Sequence, residues 1–447
     1  MRNYLFILFG LFYAVGFSQV ERTTPLQLPV GSSLQESSLK AYALDSAYVY
    51  RNVDSIITNG IKNSAFPGAQ VLVAKEGNII FHHAYGYHNY DSIQPVALDD
   101  IYDLASVTKI LGPLPAIMKL VDEGKLDLDE PFSTYWKPWK RHKDKRNITL
   151  REILAHQAGL APYIVFLSKT LKNNGRFKKR FLRNKANRNF SNRAFEDIYV
   201  KNRFNRKMYR IINRSEVAAD KKYKYSGLSF LIFPELIAQL TRMPYEQYLE
   251  EQFYKPLGMK TFGFLPSTKN FSNNIVPTEI DTLYRHTLTQ GWVHDENASL
   301  LGGISGNAGL FGTAQDLAII MQMYVQGGLF NGKQYLSKNT VQEFTSVQFP
   351  ANDNRRGLGF DKPYLKNDQF TLANAYPAPE VSATSFGHSG FTGTFVWADP
   401  EHQLVYIFLS NRVFPTRENR NIYDLNIRPA IQQIFYSAFD RSKQHDH

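Results

Sequence analysis

Strand-type patterning falls in two regions near opposite ends of the 447-residue chain. "AQVLVAK" and "IIFHHAYGY" flank Glu76-Gly77-Asn78 and read as a hairpin. Far downstream, "TGTFVWA" and "LVYIFLS" flank a second turn, Asp399-Pro400-Glu401-His402. Between them the apolar residues recur at helical spacing. A sheet that takes strands from both termini, with a mainly helical region inserted, accounts for this order. The expected class is α/β of the α+β type: an antiparallel sheet of N- and C-terminal strands flanked by helices. No internal repeat or long linker divides the chain, so one domain over 19–447 is expected.

Several helices have clear limits. Val49, Val53, Ile56, Ile57 and Ile61 mark one face of a helix over 45–62. Ile110, Leu114, Ile117, Met118 and Val121 mark another over 106–123, where Pro113 and Pro115 imply a kink or break. "ITLREILAHQAGL" opens with the capping box Thr149-x-x-Glu152, and a helix running to Gly159 carries His156 as a core histidine. "YSGLSFLIFPELIAQLT" and "MPYEQYLEEQFYKPLGM" read as two more helices, Thr313 caps another, and a last one covers 427–439.

The chain has no cysteine, which excludes disulfides, thiolate catalysis, cysteine zinc sites and a lipoprotein anchor. "MRNYLFILFGLFYAVGFSQ" has a positive start, an apolar run and small residues at cleavage spacing, the pattern of a signal peptide over 1–18. That run is short for a bilayer span. Export without a stable membrane anchor is expected, to the periplasm where the host has two membranes.

The net charge of +12 is local. Sixteen Lys/Arg and two acids (Glu196, Asp197) lie between Lys169 and Arg214, a net of +14, which leaves −2 for the remainder. Segment 169–214 reads as a solvated basic insertion anchored by Phe177, Phe181, Phe190, Phe204 and Tyr209, or as a surface for an anionic polymer. An exported chain without a recognition motif gives no reason to invoke nucleic acid.

The chemistry centres on "LASVTKI", residues 104–110. A serine hydroxyl needs a base to become a nucleophile, and on a helix Ser106 and Lys109 share a face. A first-turn position also offers Ser106 the positive end of the helix dipole. Lysine acts as a base only where burial or a neighbouring cation disfavours its charge, since an exposed one titrates near ~10.4. A capping serine beside a solvated lysine has the same spacing, and Ser37–Lys40 repeats it in a polar stretch. Two distant stretches supply what Ser37 lacks. Tyr225-Ser226-Gly227 brings a tyrosine able to relay protons, and His388-Ser389-Gly390 leads into a strand. Gly390 and Gly393 there would let a substrate backbone approach closely, and amides near them with that of Ser106 can form an oxyanion hole.

Ser106-x-x-Lys109, Tyr225-Ser-Gly227 and His388-Ser-Gly390, in this order, resemble the motif trio of the serine β-lactamase and D-Ala-D-Ala-peptidase superfamily. The class C-like branch is the closest match, with further likeness in "AIMKLVDEGKLDLDEP", "FYKPLGM" and "GHSGFTGTFVWADPE" over roughly 46–439. The resemblance implies a β-lactamase/transpeptidase-like fold with Ser106 as the acylated nucleophile. It also implies that Lys109 and Tyr225 handle the proton, that the amides of Ser106 and Phe391 form the oxyanion hole, and that His388 and Gly390 face the substrate. Two departures argue against an efficient β-lactamase. Gly227 replaces an asparagine, and His388 replaces a lysine, which weakens carboxylate recognition unless the histidine is protonated.

"GWVHDENASLLGGISGNAGLF" resembles a peptidoglycan-recycling, amidase-like subgroup. It implies a muropeptide substrate, with His294, Asp295 and Glu296 near the cleft as contacts to sugar or peptide. Loop-stabilising hydrogen bonds from Asp295 and Asn297 are the plainer use of that loop. A metal held by His294, Asp295 and Glu296 is disfavoured because adjacent loop residues rarely converge on one ion, and no cofactor is expected. The leading reading is an exported N-acetylmuramoyl-L-alanine amidase-like serine hydrolase. D-Ala-D-Ala carboxypeptidase, esterase or weak β-lactamase activity follows, and a non-catalytic cell-wall or penicillin-binding module is the alternative of another class.

Overall fold

The computed structural model describes residues 34–269 and 275–445. The signal-like segment 1–18 lies outside them. The central sheet has six strands: β1 (Gln35–Glu36), β2 (Gly68–Lys75), β3 (Asn78–Gly86), β4 (Phe386–Ser389), β5 (Phe395–Asp399) and β6 (Leu404–Ser410). Their spatial order is β1-β3-β2-β6-β5-β4, with β1 parallel to β3 and the other pairs antiparallel. The two ends of the chain meet at the β2–β6 seam, from Ala69 opposite Ser410 to Lys75 opposite Leu404.

Alternation along the strands divides the interior in two. Val71, Val73, Phe395, Trp397, Tyr406 and Phe408 face helices α1 (Ser46–Lys62) and α5 (Ile427–His445). Leu72, Ala74, Val396, Ala398, Val405 and Ile407 face the helical middle of the chain. Both faces are covered, so these strands are apolar on both sides. α1 starts at Asp45, whose carboxylate accepts the Tyr48 N–H at 3.0 Å, the N-cap bond that stabilises a first turn.

The expected break near Pro113 is present. A 3-10 turn at Ala105–Val107 leads into the short α2 (Thr108–Leu111), and Gly112 separates it from α3 (Pro113–Asp122). The Thr149–Glu152 capping box forms in full, but its helix is only Leu150–Leu154. The sequence pattern puts His156 on that helix, but the helix ends before it. The residue stands in the turn beyond, at φ +55°. His388 is likewise inside a strand, β4, rather than before one.

Segment 169–214 folds more than its composition suggests. Leu182–Arg183, Asn192–Phe195 and Ile198–Val200 form a three-stranded sheet, followed by α4 (Phe204–Arg214). Leu182, Phe195, Val200, Met208 and Ile212 join the main core, and Trp136 and Trp139 both donate to Asn213 Oδ1, at 2.8 and 3.0 Å. Of the aromatic anchors, Phe190 and Phe204 are buried and Phe177, Phe181 and Tyr209 half-buried.

Candidate active site

The turn that presents Ser106 is built on Asp103. Its strand pair, Tyr102–Asp103 against Leu310–Gly312, is buried beneath α2. Asp103 Oδ1 accepts the Ala105 N–H at 2.8 Å and Oδ2 accepts the His294 N–H at 2.7 Å. The Asp103 carbonyl accepts the Thr392 hydroxyl at 2.7 Å. One residue thus joins the Ser106 turn, the His294 loop and the β4–β5 connection. Burial raises the Asp103 pKa, against the pull of the His294 and Ala105 amides. Ala105 sits at φ +44°, an uncommon conformation for a residue with a side chain, and the Asp103 bond holds it there.

Lys109 Nζ lies 2.9 Å from Ser106 Oγ and 2.9 Å from the Asn307 carbonyl oxygen. Lys109 is only 2% exposed, and the rings of Tyr225 and Phe230 flank its ammonium with centroids at 5.4 and 5.6 Å. Both hydrogen-bond partners are neutral oxygens. Ser37 and Lys40, with the same spacing, are both exposed beside β1. Environment separates the two pairs.

Tyr225 brings its ring face to Lys109, and among the described residues no hydrogen bond joins its hydroxyl to Ser106. Around that ring stand His156 (centroid 4.6 Å), His388 (6.0 Å) and the Arg356 guanidinium (5.6 Å). Arg356 is buried, paired with Asp361 Oδ1 at 3.0 Å, and Asp361 exchanges backbone hydrogen bonds with Gly387 of β4. His388 Nδ1 lies 2.8 Å from the Ser389 carbonyl, so that nitrogen carries the proton and Nε2 is an acceptor without a protein partner among the described residues. Burial, then the charges of Arg356 and Lys109, push the His388 pKa down to about 3, with Asp361 opposing. His156 is pushed down too, by burial first and then Arg356, His388 and Lys109. Its Nδ1 accepts the Ser226 N–H at 3.3 Å, so this core histidine also supports the Tyr225 turn.

The amides of Ser106 and Phe391 are not spent on the backbone bonds of the surrounding turns. The Phe391 ring is 47% exposed, stacked on His294 at 5.7 Å with the Arg412 guanidinium 4.4 Å from its centroid. The glycines beside it are pressed closely by neighbouring groups of the chain. A Cβ at Gly390 would meet Thr394 Oγ1 at 2.1 Å and the Leu104 carbonyl at 2.6 Å. At Gly393 (φ +109°) it would meet Ser410 Oγ at 2.3 Å. Gly390 thus lets the β4–β5 turn approach the Ser106 turn, and Gly393 lets it approach the end of β6.

His294, Asp295 and Glu296 all have partners within the chain. His294 Nε2 lies 2.7 Å from Glu279 Oε2, Asp295 caps the Glu296–Leu300 helix and accepts from Asn307 Nδ2 at 3.0 Å, and Glu296 pairs with Arg417 at 2.7 Å. Asn297 donates to the Ile164 carbonyl at 3.0 Å. These are the loop-stabilising bonds of the plainer reading. Among the described residues no group of His, Asp and Glu is arranged to hold a metal ion. Asp103, Asn307 and Arg356 escaped sequence reasoning. Asp103 lies three residues before Ser106, but nothing in the sequence reveals the two amides it accepts.

With this geometry in place, the comparisons are specific. A sequence model of the beta-lactamase family matches residues 53–428. The chain belongs to that family. This beta-lactamase-family serine hydrolase is 28% identical over 403 residues to an "N-acetylmuramyl-L-alanine amidase" of Bacillus subtilis, covering 84% of each chain. It is also 28% identical to a Salmonella typhimurium protein provisionally named D-alanyl-D-alanine carboxypeptidase, over 90% of this chain and 94% of that one. Among solved structures, a penicillin-binding protein homologue from Caulobacter crescentus shares the fold, with a TM-score of 0.60 at 16% identity, over 87% of this chain and 97% of that one. Membership explains the sheet built from both termini, and no helix among the described residues is long and apolar enough to cross a membrane.

Proposed function

We propose that this beta-lactamase-family hydrolase is an amidase of peptidoglycan fragments that cleaves the amide between N-acetylmuramic acid and L-alanine through an acyl-enzyme at Ser106. The observation that carries the reading is the 2.9 Å contact between Ser106 Oγ and Nζ of the buried Lys109. In the proposed reaction Lys109 takes the Ser106 proton as Oγ attacks the carbonyl carbon. The amides of Ser106 and Phe391 receive the oxyanion. As the C–N bond breaks, the proton passes to the leaving amine along the Lys109–Tyr225 side of the cleft, and water then releases the acid and restores Ser106.

The neutral state of His388 favours the amidase over the carboxypeptidase reading. A D-Ala-D-Ala carboxypeptidase must recognise a carboxylate next to the scissile amide, whereas the muramoyl–alanine bond has none adjacent. His388 offers a hydrogen-bonding nitrogen there rather than a charge. The name of the Bacillus subtilis relative agrees with this choice. Export to the envelope, by the leader-like segment 1–18, is part of the proposal.

The test is incubation of the purified protein with defined muropeptides, followed by mass spectrometry. Release of intact stem peptide by wild type and not by Ser106→Ala is expected. Loss of terminal D-alanine alone points to the carboxypeptidase, and unchanged muropeptides with both proteins refute catalysis of either kind.

A further inference from the structure

Segment 169–214 is unusual in what its charges lack. Salt bridges elsewhere tie Arg151, Lys269, Arg285, Arg355, Arg356 and Arg417 to carboxylates, yet none of the sixteen Lys/Arg of this segment pairs with one among the described residues. Nearly all of the sixteen are exposed. Some turn to aromatic faces instead: Lys207 lies 4.1 Å from the centroid of Phe181, and Arg183 lies 4.8 Å from that of Phe190. The crowding has a chemical consequence, since burial and the charges of Arg180, Lys178 and Lys169 lower the Lys207 pKa. A folded, self-repelling basic surface is costly unless a counter-charge relieves it.

The surface is also concave. A cavity of about 860 Å³ is bounded by the loop before the Leu182–Arg183 strand, the loop after it, and His286 from the neighbouring hairpin. Among the described residues Lys172, Arg176, Lys179, Arg183 and Lys185 line it, and no acidic residue does. Asn174, Asn184 and Asn187 add amide groups, and Phe177 adds half a ring face. The site is tied to the candidate active site through Arg285, next to His286, which donates to the carbonyls of Val293 and His294.

We propose that this cavity is a binding site for an anionic saccharide polymer, separate from the Ser106 cleft. Guanidinium forks match phosphate, sulfate or carboxylate groups in pairs, asparagine amides match sugar hydroxyls, and a half-exposed ring stacks on a sugar face. Repeated anions along a polymer meet repeated cations around the rim, so binding is strongest at low salt. The site would hold the enzyme against charged envelope glycans while the cleft works on neighbouring fragments. Its existence does not depend on which bond Ser106 attacks.

Fluorescence anisotropy with a labelled heparin oligosaccharide tests the proposal, with neutral dextran and single-stranded DNA as competitors. The triple variant Arg176→Gln/Arg183→Gln/Lys185→Gln is expected to weaken binding by at least about tenfold, the loss of several charge-assisted contacts. The triple Arg206→Gln/Arg210→Gln/Arg214→Gln removes equal charge from α4, outside the cavity, and is expected to stay within about twofold. Lys185→Gln alone should show part of the loss. Equal weakening in both triples overturns the proposal, because diffuse charge then suffices. Absence of heparin binding, or displacement by DNA at lower concentration than by unlabelled heparin, overturns it as well.

Discussion

Replacing Asp103 with alanine should disable the enzyme without touching any group that reacts. The carboxylate accepts two buried amides, Ala105 at 2.8 Å and His294 at 2.7 Å. Each amide left without a partner in a dry site costs ~1–3 kcal/mol. Part of that is offset, since the variant no longer buries a carboxyl group whose charge burial disfavours. A net loss of ~2–4 kcal/mol follows. At an unfolding entropy of ~2.1 cal/mol/K per residue, a chain of 447 residues loses about 1 °C of Tm per kcal/mol, so calorimetry should read a fall of about 2–4 °C. The catalytic effect should be larger. Ala105 at φ +44° loses its tether and the His294 loop loses its bond to the Ser106 turn, so kcat on an activated ester should fall about 100-fold or more with KM nearly unchanged. Asp103→Asn keeps one acceptor and should fall between. An Asp103→Ala protein with wild-type kcat and Tm would refute the idea that this carboxylate positions the site.

Three further outcomes follow from the same geometry. Lys109→Ala should fold, keep substrate affinity and lose about 100-fold or more of kcat, read from ester hydrolysis, because Ser106 then has no base. Arg356→Gln should lower kcat and Tm together, since buried Asp361 would lose one of its two guanidinium partners and keep only Arg355, whereas Arg356→Lys should recover part of both. The third concerns acid. His388 (about 3) and His156 titrate below an unfolded histidine near ~6.5, so the unfolded chain takes up protons first and stability falls as pH drops below that value. Glu279 and Asp399, held at about 2, lose their stabilising charge only at much lower pH. Tm should therefore decline between pH 6.5 and 5, and His388→Asn should remove up to about 1.4 kcal/mol per pH unit of that slope. An unchanged slope would mean that His388 is protonated in the folded protein.

The architecture was largely legible because its signals are local. Turn residues at Glu76-Gly77 and at 399–402, apolar runs in β2, β5 and β6, and caps at Thr149 and Thr313 all act within a few residues. The motif residues Ser106, Lys109, Tyr225 and His388 do converge. What stayed hidden depends on contacts across long separations. Asp103 reaches the His294 amide, Arg356 stands beside Tyr225, and Gly390 is required by the Leu104 carbonyl pressed against it. The sheet within 169–214 was obscured because its strands are only two to four residues long and lie among charged loops. The short helix at Leu150–Leu154 shows the opposite error: a good cap predicts where a helix starts, not how long tertiary packing lets it run.

The central claim is that Ser106, alone among the serines, is a nucleophile made reactive by Lys109. Intact-protein mass spectrometry after exposure to a fluorophosphonate tests it, with peptide mapping to locate the adduct. One adduct on Ser106 is expected in wild type, slowed strongly in Lys109→Ala and absent in Ser106→Ala. Equal labelling of wild type and Ser106→Ala, or an adduct mapped to another serine such as Ser37, would contradict it.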